Sequence, residues 1–546
     1  MPTKKPLRPK YFYARLEIFL LGALLLLVAA GSSYHIEKSI SVIKYHFQGG
    51  NGWPLSWLLD NYALYHNSFK DFLVKTSSFH SGCTGAQWFS VVYLLPLFVF
   101  CDFFGGLSLK LICFFTVVSS IIFLCLFYWW GRRIFGKQAA FFAVFFFGFS
   151  SFFQEIARSG SFTVYSLFLT MICIIGCFLY KRNNSLGYCF LLGILNGLLW
   201  YGYSTSRPLS LVFIVLVFLW TNPRHKWKAM GLFLAGMAIL IVPGSILLLE
   251  QNRHSLQSVH LLFIDRENIF DCSSGSFHSI LQCIYDNLKI FGQRMMGARQ
   301  LIEPALVDKT HASFYNPILA VPLFIGIGAT LMRWRQPAIG LMLFMSFMVY
   351  ATPIMTSTLG YIETRRELLY VIPTYCFIGI GVKKIVDWIR AIQDSFLKRG
   401  MIFIIVFVII IVFIQEIEFF RQYVLSSKRD VGLLTLVEKI KGIGHGGEMF
   451  YIDGQTAYIW TPESDIMRLA LMEKGKSLFC VRSGDLSVQA PFISKDFYVA
   501  AGPAILEDDF GNWCARNRLK SALISESPLV NSTMNGNFRF YIVHRY

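Results

Sequence analysis

The sequence predicts an α-helical polytopic membrane protein that ends in a small α/β domain. Three observations lead there. Of the 546 residues, 55% are hydrophobic and only 15% are charged, a balance that no water-exposed globular surface accommodates. Apolar runs long enough to cross a hydrocarbon core of about 30 Å recur as far as about residue 415. Beyond that point the chain changes to short alternating runs, EMFYIDG, SLFCVRSG, DFYVAAG and FRFYIVHRY, which read as strands.

The amino terminus, MPTKKPLRPKYFYAR, is basic and precedes the first apolar run, Ile18 to Ala30. The Ala29-Ala30-Gly31 exit has the small residues of a signal-cleavage site, but the many later runs favour an uncleaved anchor. Spans are expected over about 15–33, 107–130, 139–155, 163–180, 186–203, 208–221, 229–249, 315–332, 337–355, 367–382 and 401–417. Basic clusters fall in alternate loops: Lys4, Lys5, Arg8 and Lys10; Arg132, Arg133 and Lys137; Lys181 and Arg182; Arg224, Lys226 and Lys228; Arg333 and Arg335; Lys383, Lys384, Lys398 and Arg399. The positive-inside bias assigns all of them to the cytoplasm. The formal net charge of +18 is therefore a record of topology, and no nucleic-acid partner is implied.

The run Trp88 to Phe104 would reverse every later loop if it crossed the membrane, so it reads as a juxtamembrane or re-entrant helix. About eleven spans then put the amino terminus in the cytoplasm and the tail outside. Residues 1–420 form the transmembrane unit, with outer loops 34–106 and 250–314 and short outer turns near 156–162, 203–207 and 356–366. Residues 421–546 form the extracytoplasmic α/β domain. Outside, oxidised cysteine pairs are allowed, so Cys272 with Cys283 and Cys480 with Cys514 are expected disulfides. The cysteines within apolar runs are small packing residues.

Arginine at the outer end of a span is costly unless it is paired or faces water, and the positive-inside bias disfavours it there. Arg158 in QEIARSGSF, Arg207 in YGYSTSRPL, and Arg365 with Arg366 in YIETRRELLYVIP occupy such places. Guanidinium groups around an outer cavity suit a phosphate headgroup, since each offers a planar fork to phosphate oxygens. Glu155 and Glu363 stand near enough in sequence to be salt-bridge partners of Arg158 and Arg365. Tyr203 and Ser204 could hydrogen-bond a lipid-linked phosphate or sugar, or Tyr203 could belong to the interfacial aromatic belt. His35 flanks Glu37, the one carboxylate in SSYHIEKSISVIKYHFQGGNG.

The order of these features resembles the bacterial GT-C membrane glycosyltransferases related to protein O-mannosyltransferases and to the aminoarabinose transferase of lipid A. The resemblance is carried by the acidic first outer loop, IARSGSF, YGYSTSRPL, RENIF, ASFYNPILAVPLFIGIGATLMRWRQP and RRELLYVIPTYCFIGIGV, in order over about residues 15 to 385. It implies a GT-C-like fold and transfer of a sugar, with inversion, from a polyprenyl-phosphate donor to a lipid, glycan or protein acceptor at the outer face of a bacterial inner membrane. Arg158, Arg207, Arg366 and Tyr203 would contact the donor phosphate.

The family usually carries Asp-Glu soon after the first span, with the Asp as base. Here the matching residues are Ile36-Glu37. Glu37 is the expected base, with Asp60, Asp71 and His35 as alternative acid/base groups. The replaced Asp leaves two other readings open: an arginine-based undecaprenyl-diphosphate glycan ligase or polymerase, and a catalytically degenerate lipid-binding or assembly protein. The sequence names no cofactor and leaves a divalent cation open.

Overall fold

The computed structural model describes residues 9–34, 55–77, 90–158, 160, 163–201, 209–251, 282, 285–286, 288–289, 291–292, 315–356, 368–426, 449–453, 478–482, 497–501, 507–516, 518–529 and 536–545. The first helix, α1 (Pro9–Ser33), follows the opening apolar run. Two short helices come next, α2 (Leu55–Asn67) and α3 (Phe69–Ser77). The run expected to lie along the membrane forms a π turn, Ser90–Leu94, leading into α4 (Leu95–Phe103). Gly105 and Gly106 stop it with φ of 100° and 113°, values that glycine adopts without steric cost.

Helix α5 (Leu109–Ile134) starts at Ser108, whose hydroxyl accepts from Leu111 N at 3.2 Å, a capping bond that satisfies one orphan N–H. The expected span over 139–155 is instead two helices, α6 (Lys137–Gly148) and α7 (Ser151–Arg158), bent by 65°. Ser150 makes the break tolerable: its hydroxyl donates to Phe147 O at 2.7 Å and accepts from Phe153 N at 3.2 Å. These bonds serve backbone groups that the bend removes from a continuous ladder.

Then follow α8 (Thr163–Asn183), α9 (Leu186–Leu198), α10 (Leu209–Trp220), α11 (Lys226–Gln251), α12 (Ala320–Leu331), α13 (Pro337–Thr356), α14 (Val371–Ala391) and α15 (Ser395–Ser426). A helix thus occupies each apolar run that the sequence marks. Among the described residues four helices are long and apolar enough to cross a membrane, within α5, α8, α11 and α15, or five if the bent α6–α7 pair is one span. The chain is a multi-pass membrane protein.

Close packing of α12 on α14 and of α9 on α11 depends on glycine. A Cβ on Gly326 would overlap Phe377 O, and one on Gly381 would overlap Pro322 O. Small residues at a crossing let helix backbones approach, which is how apolar helices gain packing where no water is expelled between them. The buried core cluster joins α1, α5, α6, α8 and α14, with Phe147 edge-to-face on Phe153 and tilted against Tyr375 at ring separations of 4.6 and 4.7 Å.

The two ends of this cluster differ. At one, Glu17 of α1 accepts from Tyr128 Oη and meets Arg132 at 3.1 Å and Lys137 at 2.5 Å. At the other, the last turn of α1 meets α7. The basic cluster 132–137 and Arg158 therefore lie at opposite ends of the helical bundle.

After α15 the chain forms a five-stranded sheet in the order β2-β1-β3-β5-β4. Its strands are β1 (Met449–Asp453), β2 (Leu478–Arg482), β3 (Phe497–Ala501), β4 (Leu519–Leu529) and β5 (Gly536–Arg545). The first three pair in parallel, while β5 is antiparallel to β3 and β4. One helix, α16 (Glu507–Arg516), packs against β4 and stacks Phe510 on Tyr541 at 4.3 Å.

The expected bridge between Cys480 and Cys514 does not form: Cys514 is a buried free thiol. Cys514 lies on α16, which packs against β4, whereas Cys480 lies on β2 at the opposite edge of the sheet, and a disulfide needs Cα atoms within about 7 Å. Cys283 lies outside the described residues, as does Cys272.

Candidate functional site

Helix α7, SFFQEIAR, is where the sequence-marked residues meet the fold. Six contacts hold it and the chain just beyond. At its start, Ser151 N donates to Glu416 Oε2 of α15 at 2.6 Å, and a carboxylate there also complements the positive end of the helix dipole. In its middle, Gln154 Oε1 accepts from Ser32 Oγ at 2.6 Å while its Nε2 donates to Gly148 O at 2.6 Å. At its end, Thr116 Oγ1 donates to Ala157 O at 2.7 Å. Tyr93 Oη donates to Gly160 O at 3.3 Å, and the Arg158 guanidinium lies 5.3 Å from the ring of Phe420 on α15.

Arg158 is thereby only 1% exposed. It is not a snorkelling anchor at the rim but a cation enclosed by protein, stabilised in part by the face of an aromatic ring. Glu416 and Phe420, one turn apart on α15, grip the two ends of α7. The Glu155–Arg158 salt bridge expected from sequence does not form among the described residues: Glu155 Oε1 is buried without a hydrogen-bond donor.

The Ser32–Gln154 bond joins the end of α1 to α7. Ser32 is five residues before Glu37, and Gln154 is four before Arg158. Glu37 and His35 lie outside the described residues, as do Tyr203, Arg207, Glu363, Arg365 and Arg366. Asp60 lies on α2. Asp71 is exposed in the first turn of α3, where an acid complements the helix dipole. Among the described residues no three His, Cys, Asp or Glu side chains gather as a metal site.

Sequence reading missed several polar residues. Glu416 was signalled by an acid at the end of the long apolar run MIFIIVFVIIIVFIQEIEFF, but nothing local named its partner. A second cluster joins α2 to α4: Asp102 Oδ1 accepts from Tyr62 Oη at 2.7 Å and lies 3.1 Å from His66 Nε2. Burial and the adjacent Asp102 carboxylate push the Tyr62 hydroxyl well above its usual range. This cluster ties α2 to α4.

No family model and no curated relative matches the chain. Solved structures do. ArnT from Cupriavidus metallidurans bound to undecaprenyl phosphate aligns over 96% of this chain and 97% of its own, at 10% identity and a TM-score of 0.52. The apo state of that protein aligns over 97% and 98%, at 10% identity and a TM-score of 0.47. The archaeal oligosaccharyltransferase AglB from Archaeoglobus fulgidus, in complex with an inhibitory peptide and a dolichol-phosphate, aligns over 83% of this chain at 11% identity and a TM-score of 0.46. Only 63% of AglB is covered, so the chain spans less than two thirds of its length. The fold is thus similar to that of ArnT over nearly the whole of both chains.

Proposed function

We propose that the chain transfers a sugar from a polyprenyl-phosphate donor to a lipid, glycan or protein acceptor at the outer face of a bacterial inner membrane. The observation that carries this reading is Arg158: a buried guanidinium at the end of α7, the helix that Gln154 fastens to the last turn of α1. Burial raises the strength of its attraction for an anion, and fixed placement removes reorganisation during reaction. Its position at the bundle end opposite Arg132 and Lys137 supports an outer location under the positive-inside bias. In this arrangement about eleven spans include the shorter helices, the amino terminus is cytoplasmic, and residues 421–546 are extracytoplasmic.

The acceptor oxygen attacks the anomeric carbon from the face opposite the phosphate. Its bond to that carbon forms as the carbon–oxygen bond to phosphate breaks, which inverts the centre and releases polyprenyl phosphate. Arg158, Arg207 and Arg366, with Tyr203, neutralise the charge that grows on the departing phosphate. Glu37 takes the acceptor proton, with Asp60, Asp71 and His35 as the alternative groups.

Transfer from radiolabelled polyprenyl-phosphate sugars to endogenous membrane acceptors tests this. The expected result is transfer by the native chain, lost in Arg158→Ala and in Glu37→Gln while both variants remain folded. Transfer unchanged in Arg158→Ala removes the phosphate contact, and no transfer by the native chain from any donor overturns the function.

A further inference from the structure

Every polar handle on α7 that holds the helix has its partner in the fold. Ser151 N has Glu416, Gln154 has Ser32 and Gly148, and Ala157 O has Thr116. Glu155 differs. Its Oε1 is sealed from solvent and accepts no hydrogen bond, although the residue as a whole is only half-buried. A buried carboxylate oxygen left without a donor is costly, and in a native fold such a group calls for a catalytic role or a bound partner.

The position narrows the ligand. Glu155 and Arg158 are three residues apart on one helix, so their side chains leave the same face about 5–6 Å apart at Cβ. A carboxylate accepts from hydroxyl or ammonium groups and repels anions, whereas a guanidinium does the reverse. A matching ligand therefore presents an anion and a hydrogen-bond donor a few ångströms from each other. A sugar 1-phosphate does so, because its C2 hydroxyl is on the carbon next to the one that bears the phosphate.

We propose that Glu155 is a specificity-determining residue that accepts a hydrogen bond from the sugar hydroxyl next to the anomeric carbon, while Arg158 holds the phosphate of the same donor. The assignment rests on the transferase reading and narrows its substrate to sugars that keep this hydroxyl. Glu155 Oε1 accepts no hydrogen bond from Arg158, which fits the role, since this oxygen stays available to the sugar hydroxyl. Selection follows from the burial of Glu155 Oε1: a sugar lacking the hydroxyl leaves it unpaired, and sites built on such a contact reject the deoxy analogue strongly.

The test is kcat/KM for undecaprenyl-phosphate mannose, undecaprenyl-phosphate glucose and their common 2-deoxy analogue, in the native chain, Glu155→Ala and Glu155→Gln. Removing the hydroxyl from the preferred donor should lower the native value at least about a hundredfold. Glu155→Ala should lower it comparably with the full sugar, and the two changes together should cost no more than either alone. Glu155→Gln keeps the shape and an acceptor oxygen, should recover part of the loss, and carries the test where the alanine variant does not fold.

Additive losses, or a native enzyme indifferent to the hydroxyl, overturn the assignment and leave the transferase reading standing. So does Glu155→Gln with turnover abolished but donor KM unchanged, which would mark proton transfer instead. Failure of the native chain to transfer these sugars or any other from the radiolabelled donors overturns both readings.

Discussion

Ser32 Oγ and Gln154 Oε1 are joined by a buried 2.6 Å hydrogen bond across 122 residues of sequence. The bond fastens the last turn of α1 to the short helix that ends in Arg158. Gly31 makes the approach feasible, since a Cβ built there would be 3.3 Å from the same glutamine oxygen. Removing the hydroxyl leaves a buried acceptor short of its donor, at a cost of about 1–3 kcal/mol. Ser32→Ala should therefore lower the thermal midpoint in detergent. Combined with Gln154→Leu the losses should be less than additive, because both variants remove the same bond; full additivity in the melting curves would refute the coupling.

Arg158 is expected to dominate donor handling. Arg158→Ala should lower transfer at least about a hundredfold, the scale on which a preorganised charge-stabilising donor acts. Arg158→Lys keeps the charge but loses the planar fork, so it should fall between the two. Steady-state transfer with varied donor concentration checks this, and equal activity of the lysine and native chains would argue against a bidentate phosphate contact.

Glu416 is 4% exposed and serves the first N–H of α7. Glu416→Ala removes both the acceptor and the favourable charge at the helix start, at about 1–2 kcal/mol. Glu416→Gln retains an acceptor oxygen and should cost less. Chemical denaturation of the three proteins in one detergent ranks them, and an order in which glutamine is as harmful as alanine would make the charge, not the hydrogen bond, decisive.

The crossing of α12 and α14 provides a sharp internal control. A methyl group on Gly381 would overlap a backbone carbonyl oxygen, whereas one on Gly328 meets nothing within 4 Å. Gly381→Ala should cost about 3 kcal/mol or more, since backbone cannot step aside as a side chain can. Gly328→Ala should fold like the native chain. Size-exclusion profiles and melting of the pair read the difference directly.

Cys514 reports on the carboxyl-terminal sheet. Burial raises its thiol above the ordinary value, offset in part by Ser521. Only the thiolate reacts quickly with iodoacetamide, so labelling of the folded protein should be slow at neutral pH and speed up only as pH climbs toward the raised value. Unfolding in urea should abolish the protection. Mass spectrometry that finds Cys514 bridged to Cys480 in the folded protein would contradict the strand order.

Hydropathy alone located the helices of the apolar runs, though not α2, α3 or α16, because a segment that must be apolar over a hydrocarbon thickness declares itself in consecutive residues. Four of the five strands were legible for a similar reason, since alternation is local. The missed strand, β4, reads LKSALISESPL and carries a register irregularity between Leu523 and Ser525. A bulge exchanges the faces of the residues that follow and destroys the alternation a reader relies on. Its Pro528 is tolerated because β4 is an edge strand.

What the sequence determined by itself was the membrane class, the helical runs and the marking of Arg158 as a cation at the end of an apolar run. Only the tertiary structure decided that Arg158 is buried, that its helix breaks from α6 by 65°, and that Glu155 is left with an oxygen to offer. SFFQEIAR is apolar enough to read as the continuation of α6; Glu416, which receives its first N–H, is 265 residues away. Hydropathy is a sum over neighbours in the chain, but a hydrogen bond, and therefore the environment of a charge, depends on which distant segments meet.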